Sequence, residues 1–413
     1  MDTLFSSSII HFLLLHLLLV FLSLSNAQTP QRAGIIFDLE RDPSTLQYMI
    51  KMNQGTPLAD VKLVLDLGGI LPWFRCRKGY YNSSSIRPVS CYSHICPILA
   101  RTCFNTRVCS TSTSNPVSGF VARGDVISDL VTLISNPDSY GTVPVPSPSR
   151  LAFGCANSIN SLSGFAEGAK GVAGLGRSSV LSLVSQFTLR FRLPRIFAIE
   201  LYGGSSTRIY FGGHPYVHYD ISDEVMAYRF LTYTPLLINP KSREEYFVDL
   251  KSIVVHGTTV PINAKLLSIN KETGSGGTKI DIQTPYTTLE TSIYNAVVEV
   301  YNEWAKSWNA TTVAAVAPFT ACYKSSTLPS WINWKNPISP PSLSFVFPES
   351  RWDIAWWDLF KVNDVAHCVQ FLDGGSNPKT SIVIGARQIE FVEFDLVRSR
   401  FGFVQPNFWD PES

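Results

Sequence analysis

Short apolar runs broken by Gly, Pro, Ser and Asn set the pattern of this chain from about residue 45 to residue 127, with few stretches of helical period. Runs of that length between turn residues predict β-strands and tight turns. Further strands are expected at Leu151-Ala152-Phe153-Gly154, at Ile209-Tyr210-Phe211 before Gly212 and Gly213, and over residues 246–255. Residues 135–149, rich in Pro and Ser, read as a loop. Two stretches have helical character. One is short, residues 178–187. The other covers residues 292–308, where Ile293, Val297, Tyr301, Trp304 and Trp308 recur at three-to-four spacing on one face. That helix follows Asp281 closely and is expected to pack beneath the strand carrying it.

The apolar pattern occurs twice. Leu63-Val64-Leu65-Asp66-Leu67-Gly68-Gly69 places a carboxylate directly behind a strand-like run, and Thr278-Lys279-Ile280-Asp281-Ile282-Gln283-Thr284 does so again. Each is followed by an apolar run ending on glycine, Gly171-Val172-Ala173-Gly174-Leu175-Gly176 and Ile382-Val383-Ile384-Gly385. The spacing from Asp66 to Gly174 nearly equals that from Asp281 to Gly385, which reads as an internal duplication. Two copies of one half, each offering an Asp, predict a site between two lobes. The expected organisation is a signal peptide over residues 1–27, an N-terminal extension over 28–44, lobes over 45–225 and 226–405, and a tail over 406–413.

Composition places this chain in an oxidising, extracellular setting. The apolar run over residues 9–22 is too short for a membrane span of about 20 residues and precedes Ser25-Asn26-Ala27, a secretory signal cleaved after Ala27. No later run approaches spanning length, so no membrane association is expected after cleavage. The remainder of the 413 residues suffices for two lobes with their own cores. Lys and Arg number 34 against 32 Asp and Glu, scattered, which leaves no nucleic-acid footprint.

The eight cysteines, Cys76, Cys91, Cys96, Cys103, Cys109, Cys155, Cys322 and Cys368, include no Cys-x-x-Cys pair and read as disulfides in an exported chain. An even count in each half predicts Cys322 with Cys368 and the other six within the first lobe. The segment holding five of them, residues 76–109, is so polar that cross-links are its expected source of order. Asn82-Ser83-Ser84 and Asn309-Ala310-Thr311 are glycosylation sequons, expected at the surface.

Other chemistry lacks support. His214-Pro215-Tyr216-Val217-His218 spaces two imidazoles four apart, but Pro215 opposes the helix that would aim both at a zinc ion. No Gly-x-Ser-x-Gly or phosphate-binding loop occurs, so neither nucleophilic serine nor nucleotide cofactor is expected. Seven of the nine tryptophans fall between Trp304 and Trp357, and core packing is the expected use of them.

The two Asp motifs, Gly171–Gly176, Ile384-Gly385, and the closing Phe394-Asp395 and Arg400-Phe401-Gly402-Phe403 together resemble the pepsin-like aspartic proteases over roughly residues 45–405. The resemblance implies a mainly β, bilobal fold with a central cleft. The Cys-dense first lobe, Leu67-Gly68-Gly69 after Asp66 and Pro285-Tyr286-Thr287 after Asp281 resemble one plant branch, that of extracellular dermal glycoproteins, basic 7S globulins and xylanase inhibitors. Members of that branch are secreted glycoproteins, and several bind glycoside hydrolases instead of cutting peptides. The branch commonly has more cysteines, so some of its bridges are missing here.

An aspartic protease holds two carboxylates sharing one proton, one activating water while the other donates to the carbonyl oxygen. The family supports them with Asp-Thr-Gly or Asp-Ser-Gly. Here Leu67 and Ile282 replace the hydroxyl residues, and Gln283 replaces a glycine, where its side chain is expected to crowd the backbone. With the glycine of the covering hairpin placed at Gly124, Val117 occupies the position of the family's tyrosine. Asp66 and Asp281 are thus dyad positions expected to be weak or idle. The resemblance then implies a protein that inhibits a cell-wall-degrading glycoside hydrolase through second-lobe loops, with residues 324–341 and 373–381 as candidates and Lys379 as a cation for the partner's carboxylates. The alternatives are an aspartic endopeptidase with an atypical dyad and a storage or signalling globulin.

Overall fold

The computed structural model describes residues 34–76, 79–99, 103, 107–133, 148–201, 207–213, 230–328, 343–354 and 359–405. The signal peptide, the tail, His214, His218, most of the loop 135–149, residues 329–341 of one candidate loop, and four of the seven clustered tryptophans lie outside the described residues.

The molecule is mainly β and bilobal. Its two halves meet in a six-stranded antiparallel sheet to which each contributes three strands. The order is Ile35–Arg41, Arg208–Phe211, Ile196–Glu200, Phe391–Asp395, Arg400–Phe403 and Thr232–Leu237. The central pairing sets Phe197 opposite Phe394, and their rings stack at 4.6 Å with Tyr246 edge-on to Phe394. Large apolar side chains at the seam make the halves one core, since each fully buried aromatic contributes roughly 2–3 kcal/mol of transfer free energy. Ile35–Arg41, read as part of an extension, is a strand of this sheet and also pairs with Tyr48–Gln54.

The duplication reappears as geometry. Ala59–Asp66 runs parallel to Ala169–Gly174 with Asp66 opposite Gly174, and Thr278–Ile280 runs parallel to Ile382–Ile384, with the Asp281 N–H donating to the Ile384 carbonyl. Glycine is required at both crossings. A Cβ on Gly174 would stand 2.7 Å from the Gly69 carbonyl oxygen, and one on Gly385 would stand 2.5 Å from the Tyr286 carbonyl carbon.

Several boundaries differ from the sequence reading. The expected strand over 246–255 is two strands, Tyr246–Val248 and Ser252–Val255, in different sheets. The short helix is Leu183–Phe191, where Ser182 caps it by accepting from the Ser185 N–H, while Ser178 and Ser179 lie before it and donate their N–H groups to Glu244. The long helix is Thr291–Ser307, with Glu290 accepting from the Ser292 and Ile293 N–H groups. Its buried face holds Ile293, Val297 and Tyr301 as expected, but continues through Ala305, while Trp304 stacks on His256 and Trp308 is exposed at the C-cap. It packs chiefly on Ser252–Val255, Thr287–Leu289 and Phe371–Asp373, not beneath the strand that leads to Asp281.

Four disulfides join Cys76 to Cys155, Cys91 to Cys103, Cys96 to Cys109 and Cys322 to Cys368. Cys322 and Cys368 face each other across paired strands. No helix among the described residues is long and apolar enough to cross a membrane.

Candidate functional site

Asp66 and Asp281, brought by equivalent strands, line one cleft of about 690 Å³ between the halves. Each carboxylate accepts the backbone N–H two residues on: Asp66 Oδ1 from Gly68 at 2.8 Å, and Asp281 Oδ1 from Gln283 at 2.9 Å. The turn after Asp66 is closed by the Leu175 N–H donating to the Asp66 carbonyl. That after Asp281 is closed by the Ala386 N–H donating to the Thr284 carbonyl.

Leu67 and Ile282, which stand where hydroxyls would support the pair, are 3% and 2% exposed and belong to the main core. Apolar packing therefore holds the two turns from behind. Gln283 does not crowd the crossing. Its Nε2 donates to the Leu65 carbonyl of the other half at 3.0 Å, so this substitution supplies a bond between the lobes. Tyr246 adds another, its hydroxyl donating to the Leu175 carbonyl at 2.7 Å.

Two charged residues missed by the sequence reading enter the cleft. Lys279 precedes Asp281 by two positions, and in a strand that places both on one face. Its Nζ lies 3.4 Å from Asp281 Oδ2 and 2.7 Å from Glu245 Oε1. Burial opposes the charge on Lys279, but the carboxylates of Asp281 and Glu245 hold its ammonium above the ordinary value. Burial likewise opposes the charge on Glu245, and Lys279 prevails in keeping that carboxyl below its usual range. Asp66 differs: burial first, and then the charge of Asp281, push its carboxyl up to about 7. The period-two position of Lys279 was available in the sequence, whereas nothing local marked Glu245.

The hairpin over the cleft joins Ser110–Ser114 to Val121–Thr132. Trp73 Nε1 donates to the Ser114 carbonyl at 3.2 Å and ties it to the first lobe. Val117 does not cover the cleft: it lies in the turn, 44% exposed and packed toward Gly164, while Ser112, Thr113, Ser114 and Pro116 line the space. At the hairpin base, buried Asp129 accepts from Tyr81 Oη and Ser85 Oγ, each at 2.6 Å.

Lys379 lies outside the cleft lining. It is exposed and its Nζ donates to Ser242 Oγ at 2.8 Å, which puts it at the lip beside Lys241 and Arg243. Asn82 and Asn309 are exposed. Among the described residues, one group of three possible metal ligands occurs, Cys91, Cys96 and Cys103, and its sulfurs belong to disulfides rather than thiolates.

Comparison with known proteins agrees with this architecture. A family model described as Xylanase inhibitor N-terminal matches residues 48–213, and one described as Xylanase inhibitor C-terminal matches residues 245–405. The chain is 37% identical to the probable aspartic proteinase GIP2 of Nicotiana benthamiana, over 96% of this chain and 95% of that protein. Among solved structures it is similar to edgp, at 37% identity and a TM-score of 0.82 over 92% of this chain and 96% of that one. The aspartic proteinase of Irpex lacteus shares the fold at 16% identity and a TM-score of 0.58, over 92% of this chain and 100% of that one. The chain belongs to the pepsin-like aspartic protease family, in its plant branch of xylanase-inhibitor-like proteins.

Proposed function

We propose that this is a secreted pepsin-like protein, glycosylated at Asn82 and Asn309, that works by binding and inhibiting a cell-wall-degrading glycoside hydrolase and is weak or inactive as a protease. The observation that carries the reading is the state of the dyad. Asp281 Oδ2 faces Lys279 at 3.4 Å and accepts from Thr284 Oγ1 at 3.3 Å, while Oδ1 accepts from the Gln283 N–H at 2.9 Å, so both oxygens of this carboxylate are engaged by the protein's own donors. Leu67 and Ile282 offer no hydroxyl to restore the usual support. Each lost hydrogen bond to a charged group is worth about 1.5–3 kcal/mol, or roughly 10-fold to 100-fold in rate.

Binding falls to the lip. Segment 241–245 sorts its charges: Glu244 accepts from the Ser178 and Ser179 N–H groups, Glu245 pairs with Lys279, and Lys241 and Arg243 remain exposed beside Lys379. Three cations at one lip suit a hydrolase cleft lined by paired carboxylates. The family match described as xylanase inhibitor supports that partner class.

The retained Gly68 and Gln283 N–H bonds, with a proton held on Asp66, favour an aspartic endopeptidase as the second reading. Two assays separate them. The purified protein should inhibit members of a panel of secreted xylanases and xyloglucanases, and should not cleave unfolded protein between about pH 3 and 5, where a shared-proton dyad works. Pepstatin-sensitive cleavage abolished by Asp281→Asn would establish the second reading.

A further inference from the structure

Four titratable groups, Asp66, Asp281, Lys279 and Glu245, line the cleft between the halves. Glu245 lies against the Asp66 turn, where a Cβ on Gly68 would meet its Cγ at 3.5 Å. From there the contacts run across the floor, Glu245 Oε1 to Lys279 Nζ at 2.7 Å and Lys279 Nζ to Asp281 Oδ2 at 3.4 Å. The glutamate is not a loose rim residue. Tyr246, next in the chain, is fully buried and bonded to Leu175 O, and Glu244, just before it, is bonded to the Ser178 and Ser179 N–H groups of the first lobe. Its side chain is about a quarter exposed, at 25%, and that of Lys279 is 19% exposed.

We infer that Lys279 and Glu245 are the cleft's own occupant, an ion pair that spans from the Asp66 turn to Asp281 and closes that side to any chain running past the two carboxylates. An extended peptide crossing both aspartates would have to displace the pair. Three partly buried charges, on Glu245, Lys279 and Asp281, would then lose their partners, the situation that makes a broken buried ion pair so unfavourable. Away from the pair, the free space of the cleft is bounded by Leu71 and the hairpin residues Ser112, Thr113 and Ser114. The ligand class that fits is a short one ending at the aspartates, with hydroxyl or amide groups to meet the exposed Ser112 and Ser114. The inference rests on cleft geometry alone and stands whether or not a hydrolase binds at the lip.

The test is calorimetric titration of the full chain with pepstatin, a peptide mimic that spans both sides of an aspartate pair, at mildly acidic pH. The double variant Glu245→Gly/Lys279→Val should bind pepstatin at least about 100-fold more tightly than the wild type. A wild type that binds as tightly as the double variant overturns the inference, as does a double variant with wild-type circular dichroism and no gain. If the double variant does not fold, Glu245→Gln decides alone, because it keeps the shape while removing the charge: tighter pepstatin binding supports the ion pair as occupant, and unchanged binding refutes it.

Discussion

The ammonium of Lys279 lies 3.4 Å from Oδ2 of Asp281, so the cation that faces one of the two cleft aspartates is supplied by the same strand that carries it. Burial, and then the charge of Asp281, push the Asp66 carboxyl up to about 7. The surroundings of the two aspartates are thus unlike, since Lys279 faces Asp281.

Asp66 makes stability pH-dependent in a defined direction. Its folded-state value, about 7, lies above the ordinary 3.8, so the folded protein keeps a proton that the unfolded chain releases as pH rises from about 4. The relative stabilisation is complete below about pH 4 and is lost as pH rises toward 7. Asp66→Asn keeps an oxygen for the Gly68 N–H and removes the titration. It should stabilise the protein by on the order of 4 kcal/mol at pH 7 and by nearly nothing at pH 4, as read by urea denaturation at the two pH values.

Glu245 has the opposite sign. Its carboxyl is held below the ordinary 4.5, so its contribution is present above that value and lost as pH falls through the lowered one. Glu245→Gln should cost about 1 kcal/mol at pH 7, discounted for its partial exposure, and close to nothing near pH 2. Thermal melts of both proteins at the two pH values check this.

The Cys322–Cys368 bridge closes a loop of sequence separation 46, for which restriction of the unfolded chain corresponds to about 4 kcal/mol. Cys322→Ser/Cys368→Ser should lower the urea midpoint accordingly. Its effect should stay in the second half, leaving the pairing of Cys76 with Cys155 intact in non-reduced peptide mass mapping.

What was legible in the sequence follows from where the constraints lie. Asp66 with Gly174 and Asp281 with Gly385 could be read because each crossing tolerates no side chain on its glycine, so the motif is local and repeated. The hairpin was placed with Val117 in its turn, and two of its glycines serve different needs. Gly124 is the one that tolerates no Cβ, which would fall 1.8 Å from the Cys155 carbonyl oxygen, but it lies within a strand. The turn is made by Gly119, whose φ of 70° favours glycine. Glu245 was invisible because it meets Lys279 across 34 positions, with no pattern at either end. Gln283 was misread because a side chain at a crowded position was weighed as bulk, when its amide had a carbonyl within reach at Leu65.

The central claim, a scaffold that works at its lip with an idle dyad, is tested most directly by one set of inhibition constants. These would be measured on a xylanase or xyloglucanase that the wild-type protein inhibits, with the wild type, Asp66→Asn/Asp281→Asn and Lys379→Ala compared side by side. The account predicts an unchanged constant for the double aspartate variant and a weakening of about 2 kcal/mol, roughly 30-fold, for Lys379→Ala. Inhibition lost with the aspartates and untouched by Lys379→Ala would contradict it.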